Sequence, residues 1–202
     1  MRKVSMLLAG IAALLIAAPV EAMTVDDVIA KHIEAHGGRD AWEAIESMKL
    51  TGSYTAFSKV SPFTLYKKRD NQFHIDHVLD DKRVIIGYDG EVAWWDNPWR
   101  NQGVQKVTGI DFTAQQRNFD FVTALFEVEQ AGHEVKLLGE TEIEGLPAVG
   151  IELPRSDETV ETWYLDPETY LELARTSPGS DFGNPMPQLT FFDDFREVHG
   201  VV

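Results

Sequence analysis

The stretch Arg83-Val84-Ile85-Ile86-Gly87-Tyr88-Asp89-Gly90-Glu91-Val92-Ala93-Trp94-Trp95 reads as two β-strands joined by a tight turn. β-branched and aromatic residues flank Asp89-Gly90, and an Asp-Gly pair between such runs is a strong short-range hairpin signal. The same period of two extends upstream. Met48, Leu50, Tyr54 and Ala56 alternate with Lys49, Thr51, Ser53 and Thr55. Phe63 and Leu65 alternate with Thr64 and Tyr66, and Phe73, Ile75, His77 and Leu79 alternate with Gln72, His74, Asp76 and Val78. Asp96-Asn97-Pro98 closes the run in a turn. Downstream, Val135 and Leu137, then Thr141 and Ile143, then Val149, Ile151 and Leu153 mark further strands. Residues 159–165 and 170–176 predict a hairpin across Asp166-Pro167-Glu168-Thr169, and residues 189–198 a last strand. Residues 177–187 hold three Pro and two Gly and read as a loop. His199-Gly200 is a turn signal, after which Val201-Val202 would begin another strand.

Two segments keep a helical period instead. Thr24 supplies a capping hydroxyl, with Asp26 and Asp27 at the positive end of the helix dipole. Val25, Val28, Ile29 and Ile33 then share one face, and Gly37-Gly38 ends the helix. Asp40 is placed to cap a second, shorter helix, with Glu43 as its capping-box partner and Trp42 and Ile45 on its buried side. Residues 108–126 contain no Gly or Pro except Gly109, and Phe112, Phe119, Val122, Leu125 and Phe126 recur near helical spacing, which predicts a helix or helix pair. About ten short strands in an antiparallel meander must curl or close. The expected fold is therefore mainly β with α: a strongly curved antiparallel sheet, an incomplete barrel, with helices over its concave face.

The first residues are of another kind. Arg2 and Lys3 precede an uncharged apolar run over residues 6–18, then Pro19 and Val20-Glu21-Ala22. That is the three-part pattern of a cleavable secretory signal, and the run falls short of the roughly 20 residues a spanning helix needs. The expectation is a signal peptide over residues 1–22 and one domain over 23–202, working in the periplasm. The chain has no Cys, so disulfides, thiolate metal sites, Cys nucleophiles and a lipidated Cys are excluded. With 18 Lys and Arg against 33 Asp and Glu, the net charge is −15. Such a surface repels nucleic acid and anionic headgroups, so no nucleic-acid partner is expected.

Several pieces taken in order resemble the outer-membrane lipoprotein-sorting-protein-like family. They are Ile33-Glu34-Ala35-His36-Gly37-Gly38-Arg39-Asp40-Ala41-Trp42 with Ile45, Met48, Leu50, Thr51 and Gly52; residues 87–94; residues 132–139 with Glu144-Gly145-Leu146-Pro147-Ala148; Glu161-Thr162-Trp163-Tyr164-Leu165-Asp166 with Tyr170; and Asp194-Phe195-Arg196-Glu197-Val198-His199-Gly200-Val201. The resemblance implies an exported half-barrel related in fold to the periplasmic lipoprotein carrier and its outer-membrane receptor. It also implies a concave face and helical lid that enclose an apolar cavity for acyl chains. Without a Cys to lipidate, the chain is similar to the soluble carrier rather than the anchored receptor.

On that reading Leu50, Tyr54, Leu65, Phe73, Ile75, Ile86, Val149, Ile151 and Leu153 face inward from the strands, and Phe119, Val122 and Phe126 face them from the lid. Trp94, adjacent to Trp95 and near Trp99, sits at the mouth. Three acyl chains would be held strongly with few polar contacts, at about 0.8 kcal/mol per buried methylene. Arg69, Arg83, Arg100 and Arg117 are candidates for a polar latch between sheet and lid, with Arg69 and Arg117 preferred. His32 and His36 lie four apart on a helix and could share a metal, but Ile33 stands where a zincin pattern needs Glu, and no third ligand is evident. His74, Asp76 and His77 lie on a strand, where residues three apart face opposite sides. No catalytic constellation, cofactor or metal is predicted. The expected function is a monomeric carrier of acylated ligands, lipid or lipoprotein, passing cargo from an inner-membrane donor to an outer-membrane acceptor. The alternatives are an envelope sensor or scaffold with a filled core, and a metal-dependent envelope enzyme using His32, Glu34 and His36.

Overall fold

The computed structural model describes residues 23–56, 58–100, 103–128, 134–155, 158–181 and 183–202. The expected signal segment, residues 1–22, lies outside them. Among the described residues no helix is long and apolar enough to cross a membrane.

Helix α1 spans Val25–Ala35 and opens on a capping box. The Asp27 backbone N–H donates to Thr24 Oγ1 at 3.2 Å, and the Thr24 N–H donates back to Asp27 Oδ2 at 3.2 Å. Gly37 and Gly38 end it at φ 97° and 87°, left-handed backbone that side chains rarely adopt. Gly37 is also pressed against the C-terminal turn: a Cβ there would lie 2.3 Å from the Gly200 carbonyl oxygen. Helix α2, Arg39–Glu43, follows at once with Gly38 as its N-cap. Asp40 thus sits in the first turn rather than at the cap, because the turn of Gly38 starts the helix two residues early.

Among the described residues the strands form two antiparallel sheets instead of one meander, and neither closes into a barrel. The first holds six strands in sequence order: β1 Ser47–Ala56, β2 Lys59–Lys68, β3 Gln72–Leu79, β4 Lys82–Tyr88, β5 Ala93–Asp96 and β6 Val104–Lys106. The second holds five: β7 Lys136–Ile143, β8 Leu146–Pro154, β9 Val160–Leu165, β10 Glu172–Asp181 and β11 Asn184–Phe191. Between them run helix α3, Gly109–Phe119, and a 3-10 turn, Ala124–Phe126. This is the helix pair expected there, and it is what divides the sheet: β6 pairs only with β5, and the chain then departs into α3.

The Asp89-Gly90 hairpin forms with a longer loop than a two-residue turn, since Tyr88 faces Ala93. Asp89 holds the extra residues, its Oδ1 accepting the N–H groups of Glu91 and Val92 at 2.9 and 2.7 Å. The stretch 177–187 is not a loop. Most of it is β10 and β11, paired so that Pro178 faces Pro187. Proline lacks the N–H a ladder needs, and an edge strand such as β11 tolerates it. The final strand therefore ends at Phe191, and Val198 bridges Val201 around the expected His199-Gly200 turn.

Two apolar clusters result. One joins α1 and the 3-10 turn to the second sheet through Val28, Ile29, Ile33, Leu125, Phe126, Val149, Ile151, Leu153, Trp163 and Leu165. The other joins α3 to the first sheet through Phe73, Ala93, Trp95, Val107 and Phe119.

Candidate functional site: a partly filled cavity between the sheets

Register places Leu50, Leu65, Ile75, Ile86 and Trp95 in one row across the first sheet. Phe63 and Phe73 lie on the same face, two residues either side of the row on their strands. These side chains look toward α3 and the second sheet across a cavity of about 470 Å3, within the ~300–1,000 Å3 range of ligand pockets. Its apolar wall is Phe63, Leu65, Phe73, Ile75, Ile86, Val122, Trp163 and Phe192. Trp163 and Phe192 stack, with ring planes 8° apart.

The other end is polar. Helix α3 contributes Gln115, Arg117 and Asn118, β2 contributes Lys67, and β10 contributes Glu172 and Arg175. A bulge in β10 between Glu172 and Ala174 shifts its register. That extra residue lets Glu172 and Arg175, three apart, both reach the cavity. Arg117 is buried and forms an ion pair with the fully buried Glu161, Nε to Oε1 2.9 Å. It also donates to the Thr113 carbonyl in its own helix and to Thr159 Oγ1 on the second sheet's side. Glu161 Oε2 accepts Trp163 Nε1–H at 3.1 Å. Arg155 donates to Asp120 Oδ2 at 2.7 Å and has Nε 3.8 Å from Glu161. Lys67 Nζ donates to the Asp120 carbonyl at 2.5 Å, and burial pushes its pKa down despite the Asp120 charge. Burial likewise lowers Arg175 and His77. His77 contributes a buried Nδ1 without a hydrogen-bond partner among the described residues, and its ring meets that of Tyr54.

Beside this cavity lies a buried cluster of His32, His36 and Glu172, whose ligand-type atoms all lie within 4.8 Å of one another. Glu172, from β10, is the third group that the spacing of the histidines did not reveal. Each Nδ1 faces a backbone carbonyl, Tyr170 at 2.9 Å for His32 and Val202 at 2.7 Å for His36, so each carries its proton there. His36 Nε2 lies 2.8 Å from Glu172 Oε2, and Thr123 Oγ1 lies 3.3 Å from His32 Nε2. Burial pulls His36 down, but the Glu172 carboxylate outweighs it and raises its pKa; Glu172, raised by burial, is held below its ordinary value by the hydrogen bond from His36. Burial lowers His32. One extra proton on His36 therefore satisfies the cluster as a buried ion pair. The three side chains could also hold a metal as a His2Glu set. Glu34, the residue between the histidines, is exposed and outside the cluster.

Of the sequence-derived lining set, Leu65, Phe73, Ile75, Ile86, Val122 and the latch candidate Arg117 border the cavity. Val149, Ile151, Leu153 and Phe126 are closed core, under 4% exposed, because α1 and the 3-10 turn fill the space above the second sheet, and Phe119 is closed core between α3 and the first sheet, against Phe73 and Tyr88. Leu50, near the open β1 edge, is 41% exposed. Tyr54 bonds to the Val78 carbonyl at the far end of the first sheet. Trp94 is on the outer face, since its neighbour Trp95 takes the inward position. There it packs over Gly87, where a Cβ would meet its ring at 2.3 Å, and near His74. Arg69 donates to the carbonyls of Ile45 and Trp42 and lies 4.3 Å from the Phe121 ring centroid, so it ties the α2–β1 link to the segment after α3. Arg100 clamps Asp111 at 2.8 and 3.0 Å near the start of α3, while Arg83 pairs with Asp76 on the surface.

No family model and no curated protein matches the chain. Solved structures do. A LolA superfamily protein from Nitrosomonas europaea aligns with TM-score 0.51 at 13% identity, over 88% of this chain and 80% of that one. The two chains share a fold. A DUF1329 family protein from Desulfovibrio piger aligns at TM-score 0.45 and 15% identity, over 76% and 72% of the two chains. A putative outer membrane lipoprotein-sorting protein domain from Vibrio parahaemolyticus aligns at 0.42 and 12%, over 75% and 70%. At 13% identity the likeness to the Nitrosomonas europaea structure speaks for the fold alone, and the site must be read from its own side chains.

Proposed function

We propose that this protein is a periplasmic, non-enzymatic binding or carrier protein for an acylated ligand, held in the cavity between the first sheet, α3 and the second sheet. The observation that carries this reading is the unfilled apolar wall of Phe63, Leu65, Phe73, Ile75 and Ile86 facing about 470 Å3 of space. An apolar wall of this kind favours hydrocarbon over water at about 0.8 kcal/mol per buried methylene. A water-sized group takes about 30 Å3, so the cavity has room for on the order of fifteen such groups. That suits one acyl chain, not the three first considered. The LolA-superfamily fold and the secretory pattern of residues 1–22 support a carrier working in the periplasm. Release would pass the chain to an acceptor whose pocket binds it more tightly.

Uptake of an acyl-chain fluorophore tests the reading. Wild-type protein should bind it, and Ile75→Asp and Ile86→Asp, both half-buried wall positions, should abolish uptake while keeping a native circular dichroism spectrum. Unchanged uptake in either folded variant, or none by the wild type, would end the proposal. Native mass spectrometry of protein taken from cells should show bound lipid.

A further inference from the structure

Basic groups gather at the polar end of the cavity, in a chain whose net charge is −15. Arg117 is paired with Glu161, Arg155 with Asp120 and the wall acid Glu172 with His36, while Lys67 and Arg175 make no ion pair among the described residues. Arg175 is where this is plainest. It lines the cavity with its guanidinium 5.1 Å from the Trp163 ring centroid, and its Nε is buried without a hydrogen-bond partner among the described residues. Lys67 lines the same end, close enough that the two cations repel, and its hydrogen bond to the Asp120 carbonyl uses a single donor of three. The charge of Glu161 acts on Arg175, but that carboxylate is already paired with Arg117; a half-buried guanidinium that makes no ion pair of its own gains from an anion placed beside it.

We propose that the ligand is an anionic amphiphile whose single acid group, a carboxylate or a phosphate, is held by Arg175 and Lys67 while its acyl chain lies along Leu65, Ile75 and Ile86. This deepens the carrier reading and rests on it. Two donors aimed at one end of an apolar slot select an amphiphile by charge as well as by length. The neighbouring carboxylates do not oppose it, because Glu161 is engaged by Arg117, Asp120 by Arg155 and Glu172 by His36.

The test holds the chain fixed and varies the head. Dodecanoate, dodecyl phosphate, dodecanol and dodecyltrimethylammonium are titrated calorimetrically against the full mature protein. At least one acid should bind about tenfold or more tighter than the alcohol, the scale of a charge-assisted hydrogen bond, and the cation should bind weakest. Which acid wins tells a fatty acid from a phosphorylated lipid. Arg175→Gln should bring the acid down to the level of the alcohol, whereas Arg175→Lys should keep most of the preference. If Arg175→Gln fails to fold, the four-ligand series on the wild type decides. Equal affinity for acid, alcohol and cation overturns the anion site and leaves the carrier reading standing; no binding of any of the four removes both.

Discussion

Beneath α1 the second sheet is sealed: Val149, Ile151, Leu153, Trp163 and Leu165 are each 2% exposed or less. Beneath α3 the first sheet is not: Leu65, Ile75 and Ile86 are half-buried and Leu50 is open. The two sheets are alike in pairing and in the apolar character of their inner rows. Their covers differ. Helix α1 presents Val28, Ile29 and Ile33 as an apolar stripe that fits its sheet. In α3, Gly-Ile-Asp-Phe-Thr-Ala-Gln-Gln-Arg-Asn-Phe, only Phe112 and Phe119 reach the core, and Gln115, Arg117 and Asn118 turn to the cavity. A helix with a polar inner side cannot fill an apolar hollow, and the hollow persists for that reason.

The sharpest way to break this contrast is to truncate one residue on each side. Leu153→Ala should cost about 4 kcal/mol, as for a closed core site. Ile86→Ala should cost about 1 kcal/mol, because its side chain already borders empty space. Urea denaturation of the two variants checks this, and equal losses would mean that both sheets are packed alike. Next in size is Glu161→Gln. It strands Arg117 inside the protein and should destabilise by about 3 kcal/mol, a typical loss when one partner of a buried ion pair is removed. A change near zero in the same experiment would show that Arg117 finds its charge partner elsewhere.

The alternation of apolar and polar residues made the strands legible, and with them the inward row of the first sheet. It also aims charged residues inward. In Phe63, Leu65 and Lys67 the charged residue continues the apolar register, so period two alone aims Lys67 inward; Glu161 before Trp163 and Leu165 does the same. The division into two sheets is not legible, since it depends on which strands fail to pair across α3. Arg175 is hidden because the bulge in β10 breaks the count of two. The partner of His36 lies 136 residues away, a separation that no local pattern encodes. Ile151 and Leu153 share the inward pattern of Ile75 and Ile86, and nothing in the strands says which row a helix will seal.

A smaller effect is expected at the edge of the sealed region, where His36 joins α1 to β10 and to the Val202 carbonyl. His36 has its pKa raised by Glu172, so its contribution is complete below the ordinary histidine value of 6.5 and is lost as pH climbs through the raised one. Glu172 is lowered, so its contribution is present above the ordinary value of 4.5 and is lost as pH falls through the lowered one. His32, lowered by burial, acts against acid: its share is kept above 6.5 and lost as pH falls through its lowered value. The stability difference between wild type and His36→Gln should therefore be greatest between about pH 4.5 and 6.5 and shrink above neutrality. A difference that grows from pH 6 to 8 would assign the pair the wrong charge state.

The smallest change in stability should come from filling the hollow. Ile75→Phe adds volume to a wall that has room for it, so unfolding free energy should move by less than about 0.5 kcal/mol. In a packed interior the same enlargement costs about 1–3 kcal/mol, because neighbours must leave their rotamers. Val149→Phe, on the sealed sheet, should show that larger penalty. Acyl-probe affinity should respond in the opposite order, falling for Ile75→Phe and holding for any Val149→Phe protein that stays folded. Stability and binding would then be governed by different sheets, which is what a permanently covered sheet beside a loosely covered one requires. A full overpacking penalty at Ile75 would mean that the first sheet is as closed as the second and has no space to lend to a ligand.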